Sequence, residues 1–358
     1  MNDSVWPGPL RAPVEGPSAW IGADLRTRPE TWTYRLTQSD IAEIQAATAG
    51  VIARGIDIAE VTRDSFPLPT FAAVLAGHRE ALLHGRGFVL LRGLPVDAKP
   101  MRESAISFCG IGSHIGTFRS QNAKGHLLGH VRNLGGPPAS VDPTVRAYAT
   151  AERQTFHTDG CDVVGLLCLK PAKSGGLSSI VSSMTMYNRM AASRPDLASR
   201  LFAPMPFDRR GETPEGALPF YIMPVLTDYA GRLTCSYLRR NINSSQRHPD
   251  APRLTPDDLA ALDMWDDLAN DGGLRLDIVL EPGDIQFVYN HTTLHDRTAF
   301  EDWPEEDRKR HLLRLWLCVP GDRPLDPVLA QRFGSVEIGN RSGIICKGTR
   351  LHAPLVPS

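Results

Sequence analysis

From about residue 146 the chain is written in short apolar runs bounded by glycine and proline, at 163–169, 177–183, 274–280, 285–289 and 311–319. Runs of this length, rich in Val, Ile and Leu, read as strands. No regular strand–helix alternation accompanies them, which disfavours a doubly wound parallel sheet. We therefore expect an α+β protein with a mainly β core, a β-barrel or jelly roll flanked by helices. Glu281-Pro-Gly-Asp284 is a turn signal, and the strands on either side of it are expected to form a hairpin.

Helices are expected mainly before this region. Thr37 to Asp40 resembles an N-cap with an acidic first turn, and Ile41, Ile44, Thr48, Val51 and Ile52 follow at helical spacing. A second helix spans about 69–84, with Phe71, Val74, Leu75 and Leu82 on its inner side and Gly85 ending it. Residues 87–92 then form a buried strand. One helix interrupts the later strands, with Thr255 as cap, Pro256 at the first helical position, and Leu259, Leu262 and Leu268 on its apolar face. Residues 1–35, rich in proline and glycine, read as an irregular arm on the surface. With no internal repeat and no long linker, residues 36–358 read as one domain with its core at about 85–320.

A chain of 358 residues, 42% hydrophobic, can bury a substantial core. Its 39 Lys+Arg nearly balance 40 Asp+Glu, and no basic block stands out, so nucleic acid is not expected as a partner. The six cysteines are scattered without a CxxC pair, which excludes the usual zinc-finger and thioredoxin spacings. The N-terminus lacks a basic segment followed by an apolar run, and the apolar runs are shorter than the roughly 20 residues a membrane span needs. A cytoplasmic protein with no membrane partner is the expectation. Nothing in the sequence specifies an oligomeric state.

Chemistry concentrates in three stretches. In Phe156-His-Thr-Asp-Gly160, extended backbone would turn His157 and Asp159 to the same side, where an imidazole nitrogen and a carboxylate oxygen can share a metal. Two histidines and one carboxylate on one face suit iron(II) that must keep positions open for other ligands. The third ligand would come from Asn290-His-Thr-Thr-Leu-His-Asp-Arg-Thr298. His291 and His295 are four apart and share a face only in a helix, which the preceding strand pattern opposes, so one of them is the ligand and the other is not. In Arg310-His-Leu-Leu-Arg-Leu-Trp-Leu-Cys318, strand alternation puts Arg310 and Arg314 on one face of an apolar element. Buried guanidinium groups require an anion, either a carboxylate of a neighbouring strand or a bound dicarboxylate gripped by the N–H fork.

Taken together, His157-Thr-Asp159, Leu294-His-Asp-Arg-Thr298 and Arg310-His-Leu-Leu-Arg314 resemble, in order and context, the taurine dioxygenase-like iron(II)/2-oxoglutarate oxygenases, which include the γ-butyrobetaine hydroxylases. The resemblance covers about 85–320. It implies a double-stranded β-helix (jelly-roll) core and iron held by His157, Asp159 and His295. His295 is preferred because the family's distal histidine precedes a Gly-Arg or similar pair, here Asp296-Arg297. Arg310 matches the arginine that binds the distal carboxylate of 2-oxoglutarate, and Arg314 a second arginine that faces substrate or assists 2-oxoglutarate. Ser178, in Lys173-Ser-Gly-Gly-Leu-Ser178, matches a hydroxyl that bonds the same carboxylate, the alternative being a plain turn at Gly175-Gly176 followed by an ordinary strand serine. Gln121, Asn122 and Tyr148 are expected on the substrate side. Cys161, Cys168 and Cys318 read as small buried hydrophobes.

The implied reaction consumes O2 and 2-oxoglutarate, releases succinate and CO2, and hydroxylates an unactivated C–H of a small molecule. Asp159 opposes a halogenase, which would replace the carboxylate by a small residue. Two other readings compete. A zinc-dependent hydrolase on a β-barrel could use the same ligands, but leaves Arg310, Arg314 and Ser178 unexplained. A jelly-roll binding or sensor protein would keep the site without turnover.

Overall fold

The apolar run at 163–169 becomes the spine of the larger of two main sheets. The computed structural model describes residues 10–357 apart from 98, 139 and 143. In it Val163–Lys170 pairs antiparallel with Ile285–Tyr289 on one side and His311–Cys318 on the other. Phe88–Arg92 and then Thr33–Arg35 extend the first side, while Thr117–Phe118 and Leu128–Val131 both pair with His311–Cys318. Strand alternation divides the side chains between two cores. Val163, Leu167, Phe287, Leu313 and Leu315 pack with Ile44, Phe71, Leu75 and Phe108 of the helices Gln38–Ala53, Phe71–Leu83 and Met101–Ser113. Val164, Val288 and Trp316 point the other way.

On that side lies a four-stranded antiparallel sheet ordered Leu276–Ile278, Ser178–Ser182, Thr293–Arg297, Gln154–His157. Its Ile180, Leu276 and Ile278 meet Phe88, Leu90, Val164 and Val288, so the two sheets face one another across an apolar layer. The expected hairpin about Glu281–Asp284 does not form. Leu276–Ile278 pairs with Ser178–Ser182, whereas Ile285–Tyr289 pairs in the larger sheet, so the turn carries the chain from one sheet to the other. Gly283 (φ 84) lies so near Leu94 that a Cβ would stand 2.0 Å from its carbonyl oxygen. Its N–H donates to the Cys168 carbonyl, and buried Asp284 accepts from Arg92 Nε at 2.9 Å, which ties the turn to the larger sheet.

The region between Ser178–Ser182 and Leu276–Ile278 holds more than the single expected helix. Pro256–Asn270 is capped as expected by Thr255, in a reciprocal box with Asp258. Ser183–Ser193, Pro195–Arg200 and Arg239–Ser245 are also helical, and two hairpins, Met205–Asp208 with Phe220–Met223 and Leu226–Tyr229 with Arg232–Cys235, lie among them. Their shared core contains Met186, Tyr187, Phe207, Leu262 and Trp265. The expected irregular arm also differs. Its residues 1–9 lie outside the described residues, but Gly22–Arg26 is helical, Thr33–Arg35 pairs parallel with Phe88–Arg92, and Trp20 and Trp32 are buried against Phe88. Their indole N–H groups donate to the carbonyls of Arg86 and Leu25, which permits that burial. Among the described residues no helix is long and apolar enough to cross a membrane.

At the start of His311–Cys318 two buried histidines form a neutral chain. His311 Nε2 donates to His130 Nδ1 (2.8 Å), and His130 Nε2 to the Pro354 carbonyl (2.9 Å). Burial, then His130 and Arg132, push His311 down to about 3. As pH falls below the unfolded value near 6.5, the unfolded chain takes up a proton that the folded chain refuses, so stability falls until the folded value is reached. At pH 5 the loss from His311 amounts to about 2 kcal/mol relative to neutral pH. Urea unfolding at pH 7 and pH 5 should show it, and His311→Asn should shrink the difference; an unchanged difference would contradict this account.

Candidate active site

The two small-sheet strands Gln154–His157 and Thr293–Arg297 place His157 directly opposite His295, with ring centroids 4.2 Å apart. Asp159, two residues on, stands between them: its Oδ1 is 3.7 Å from His157 Nε2 and its Oδ2 3.7 Å from His295 Nε2. One donor atom from each lies within 4.8 Å of the others, and all three residues are buried. His157 Nδ1 donates to the Thr155 carbonyl at 2.8 Å, which leaves the Nε2 lone pair facing Asp159. Gln154 Nε2 donates into that lone pair at 2.9 Å. The backbone N–H of Asp159 donates to Asn290 Oδ1 (2.8 Å), and Trp316 Nε1 donates to its Oδ2 (2.9 Å). Burial opposes ionisation of Asp159, but Arg314, His295, His157 and the Trp316 N–H outweigh it and hold the carboxyl at about 2. Burial, with His157 beside it, takes His295 down to about 3, and burial likewise lowers His157. Two neutral imidazoles and one carboxylate are the protonation states that divalent metal binding requires.

His291 belongs elsewhere. Its Nε2 donates to Asp162 Oδ1 (2.9 Å) and lies 3.6 Å from Asp322 Oδ2. These three also cluster closely enough to suggest a metal. The Arg341 guanidinium already occupies the space, bonding Asp162 Oδ1 at 2.8 Å and Asp322 Oδ2 at 2.6 Å. A cation supplied by the chain thus neutralises this second group.

Arg310 immediately precedes the strand His311–Cys318, and a register shift between His311 and Leu312 re-aims the chain there. It is buried, and its Nη1 has no partner among the described residues. Burial pushes it down to about 10, so it remains cationic near neutral pH. With Ser178, His157, His295, Arg297 and Arg314 it lines a cavity of about 40 Å³, room for a carboxylate group rather than a whole dicarboxylate. Ser178 Oγ donates to Gln286 Oε1 (2.9 Å), and Gln286 Nε2 is buried without a partner among the described residues. Arg297, lowered by burial and by Arg310, likewise leaves Nε and Nη1 unbonded among them. Orphaned cationic N–H groups beside the three donor residues fit an anion that also reaches a metal there.

Arg314 stands between this inner cavity and a larger one of about 550 Å³, and lines both. Its Nε donates to Gln121 Oε1 (2.7 Å), its guanidinium lies 4.5 Å from the Tyr148 ring centroid, and its Nη1 is 3.7 Å from Asp159 Oδ2. Gln121 Nε2 in turn donates to the carbonyls of Arg314 and Leu127. Gln121 and Tyr148 therefore line the larger cavity, and both hold Arg314 in place. Asn122 is absent from that wall; its Nδ2 is 3.1 Å from His126 Nδ1, a contact within its own loop.

Sequence reasoning did not find Gln154, Asn290 or Trp316, although strand alternation already put Trp316 on the face of Arg314. It also missed the character of the larger cavity, whose wall holds eight arginines against four carboxylates. Arg153 and Arg239 are paired with Asp296, Asp263 and Asp266, which lie outside that wall.

Over residues 54–316 the chain matches the family described as Taurine catabolism dioxygenase TauD, TfdA family. It is 33% identical over 334 residues to FR-33289 synthase of Streptomyces rubellomurinus, covering 91% of this chain and 96% of that protein. To the Taurine hydroxylase-like protein SAT17 of Stachybotrys chartarum it is 30% identical over 319 residues, covering 85% and 81%. Similar solved structures include asparagine oxygenase with Fe(II), 3-hydroxyasparagine and succinate, at TM-score 0.59 and 18% identity, covering 80% of this chain and 93% of that one. Another is the non-haem iron oxygenase OrfP with Fe and alpha-ketoglutaric acid, at TM-score 0.57 and 15% identity, with the same coverage. Their likeness supports the α+β fold with a β-sheet core.

Proposed function

The chain belongs to the TauD, TfdA family of dioxygenases and is an iron(II)- and 2-oxoglutarate-dependent oxygenase, and from that premise we propose that it hydroxylates an unactivated C–H of a small molecule held in the 550 Å³ cavity. The observation that carries this reading is the meeting of two neutral imidazoles and one carboxylate beside buried guanidinium groups whose N–H donors lack a partner among the described residues. We assign His157, Asp159 and His295 as the iron ligands, Arg310 and Ser178 as the grip on the distal carboxylate of 2-oxoglutarate, and Arg314 as the residue between co-substrate and substrate. The two facing sheets are read as a jelly roll, and the cytoplasm as its setting.

Iron(II), 2-oxoglutarate and O2 supply the oxidising power: one oxygen atom enters succinate, the other enters the substrate as a hydroxyl, and CO2 leaves. The chain's own residues position the reactants. The Thr155 carbonyl fixes the His157 tautomer, and Asn290 and Trp316 hold the Asp159 carboxylate in place. Because His157 and His295 are already neutral, a metal need displace no proton from them. Gln154, which donates to His157 Nε2, must turn away for a metal to bind there. Arg314, fixed by Gln121 and Tyr148, orients whichever ligand reaches the mouth between the two cavities.

Succinate production measured with iron(II), O2 and 2-oxoglutarate tests the reading. Turnover should require all three, even where slow decarboxylation proceeds without substrate. Absence of succinate under every condition, with hydrolysis restored by zinc, would overturn it.

A further inference from the structure

Arg209 and Arg210 are consecutive, and an extended backbone would send them to opposite sides. Both line the larger cavity because Arg210 adopts a left-handed conformation (φ 54), its N–H donating to Asp208 Oδ1 at 2.8 Å. A non-glycine residue is rarely found there. Arg332, from the helix Ala330–Phe333, enters the wall beside the proposed ligand arm, donating to the Thr158 carbonyl (2.5 Å) and to Thr158 Oγ1 (3.2 Å). Tyr221 lies under Arg209, 4.9 Å from guanidinium to ring centroid. Arg146, Arg209, Arg332 and Tyr221 all line the same wall, and while burial raises the Tyr221 phenol, the three guanidinium groups pull against that rise.

Their countercharges do not balance. Arg146 pairs with Glu212, Arg240 faces Glu152 at 3.7 Å, Arg314 faces Asp159 at 3.7 Å, and Asp208 is taken by Arg247 and His248. Among the described residues, Arg209 and Arg332 have no carboxylate within ion-pair distance. Two partly buried positive charges thus line one cavity without a carboxylate of the described residues beside them, and a bound anion would neutralise them.

We infer that Arg209, Arg332 and Tyr221, with Arg146 and Arg210 in the same wall, form a substrate subsite for a dianionic tetrahedral oxyanion, a phosphonate or a phosphate monoester. The inference rests on reading this cavity as the substrate chamber. Two unmatched charges call for a dianion, since a carboxylate or sulfonate would leave one guanidinium uncompensated. Several forks from separate chain segments also suit an anion with three terminal oxygens better than a planar carboxylate.

Calorimetric titration of the iron-free protein at pH 8.5 with methylphosphonate, methyl phosphate, methanesulfonate and acetate tests this. Either dianion should bind at least ~10-fold more tightly than the two monoanions, and the tighter of the two identifies the source chemistry. Arg209→Met and Arg332→Met should each weaken dianion binding about 30-fold or more. Arg332→Lys, which keeps the charge, should retain part of the affinity if the methionine variant folds poorly. Acetate or methanesulfonate binding as tightly as methylphosphonate, or arginine variants that bind unchanged, would overturn the inference. The charge-transfer band of the anaerobic iron–2-oxoglutarate complex reports separately on the oxygenase reading: its absence would sink that reading while the anion affinities stood.

Discussion

Replacement of His295 by alanine is expected to abolish iron binding and lower succinate formation by at least ~10²-fold, while unfolding shifts little. First-coordination ligands exceed their outer partners, whose loss already costs about 10- to 100-fold. His291→Ala should do the reverse. Its Nε2 donates to Asp162 inside a fully buried network with Asp322 and Arg341, so its loss leaves carboxylate oxygens desolvated and costs about 3 kcal/mol of stability. The fraction that folds should still bind iron. Parallel measurement of iron affinity and denaturant midpoint for both variants decides the matter: a His291 variant that loses iron at unchanged stability would exchange the roles of the two histidines.

The second large effect is expected at Arg310. Arg310→Met should raise the KM for 2-oxoglutarate by about 10²- to 10³-fold, because the other charged partner is left buried and unpaired. Arg310→Lys should recover only part of this, since an ammonium lacks the planar fork that meets a carboxylate with two parallel bonds. The readout is 2-oxoglutarate decarboxylation at varied co-substrate with iron saturating. A KM within twofold of the parent would remove Arg310 from the co-substrate site and leave Arg297, whose Nη1 is also unbonded among the described residues, as the candidate.

Much of this arrangement was legible because it is local. The runs at 163–169, 285–289 and 311–319 became strands within a residue or so of their expected ends, and Thr37 and Thr255 cap their helices because capping depends on residues only three apart. The expected sharing of one side by His157 and Asp159 needed only extended backbone. What failed was non-local. The signal at Glu281–Asp284 says that the chain turns, and cannot say which sheet receives it. Trp20 and Trp32 are isolated aromatics in a stretch without periodicity, yet Phe88 waits for both. The cavity's charge was hidden most completely. A chain with net charge −1 shows no basic block, but Arg146, Arg209 and Arg332 come together from three separate segments, and only the left-handed turn at Arg210 adds a fourth.

The Arg341 bridge has a consequence for where along the chain the cavity is completed. Asp162 and Asp322 are brought together behind the active site, and until Arg341 joins them they repel across a space closed to water. Just beyond it, the Gly343 N–H bonds the Gly160 carbonyl, the Ile344 N–H bonds that of Ser120, and both residues line the larger cavity. Asp322, Arg341, Gly343 and Ile344 lie past residue 316, where the family match ends. The strands of both sheets are thus all encoded by residue 318, whereas the wall of the larger cavity is complete only when residues 343 and 344 are present.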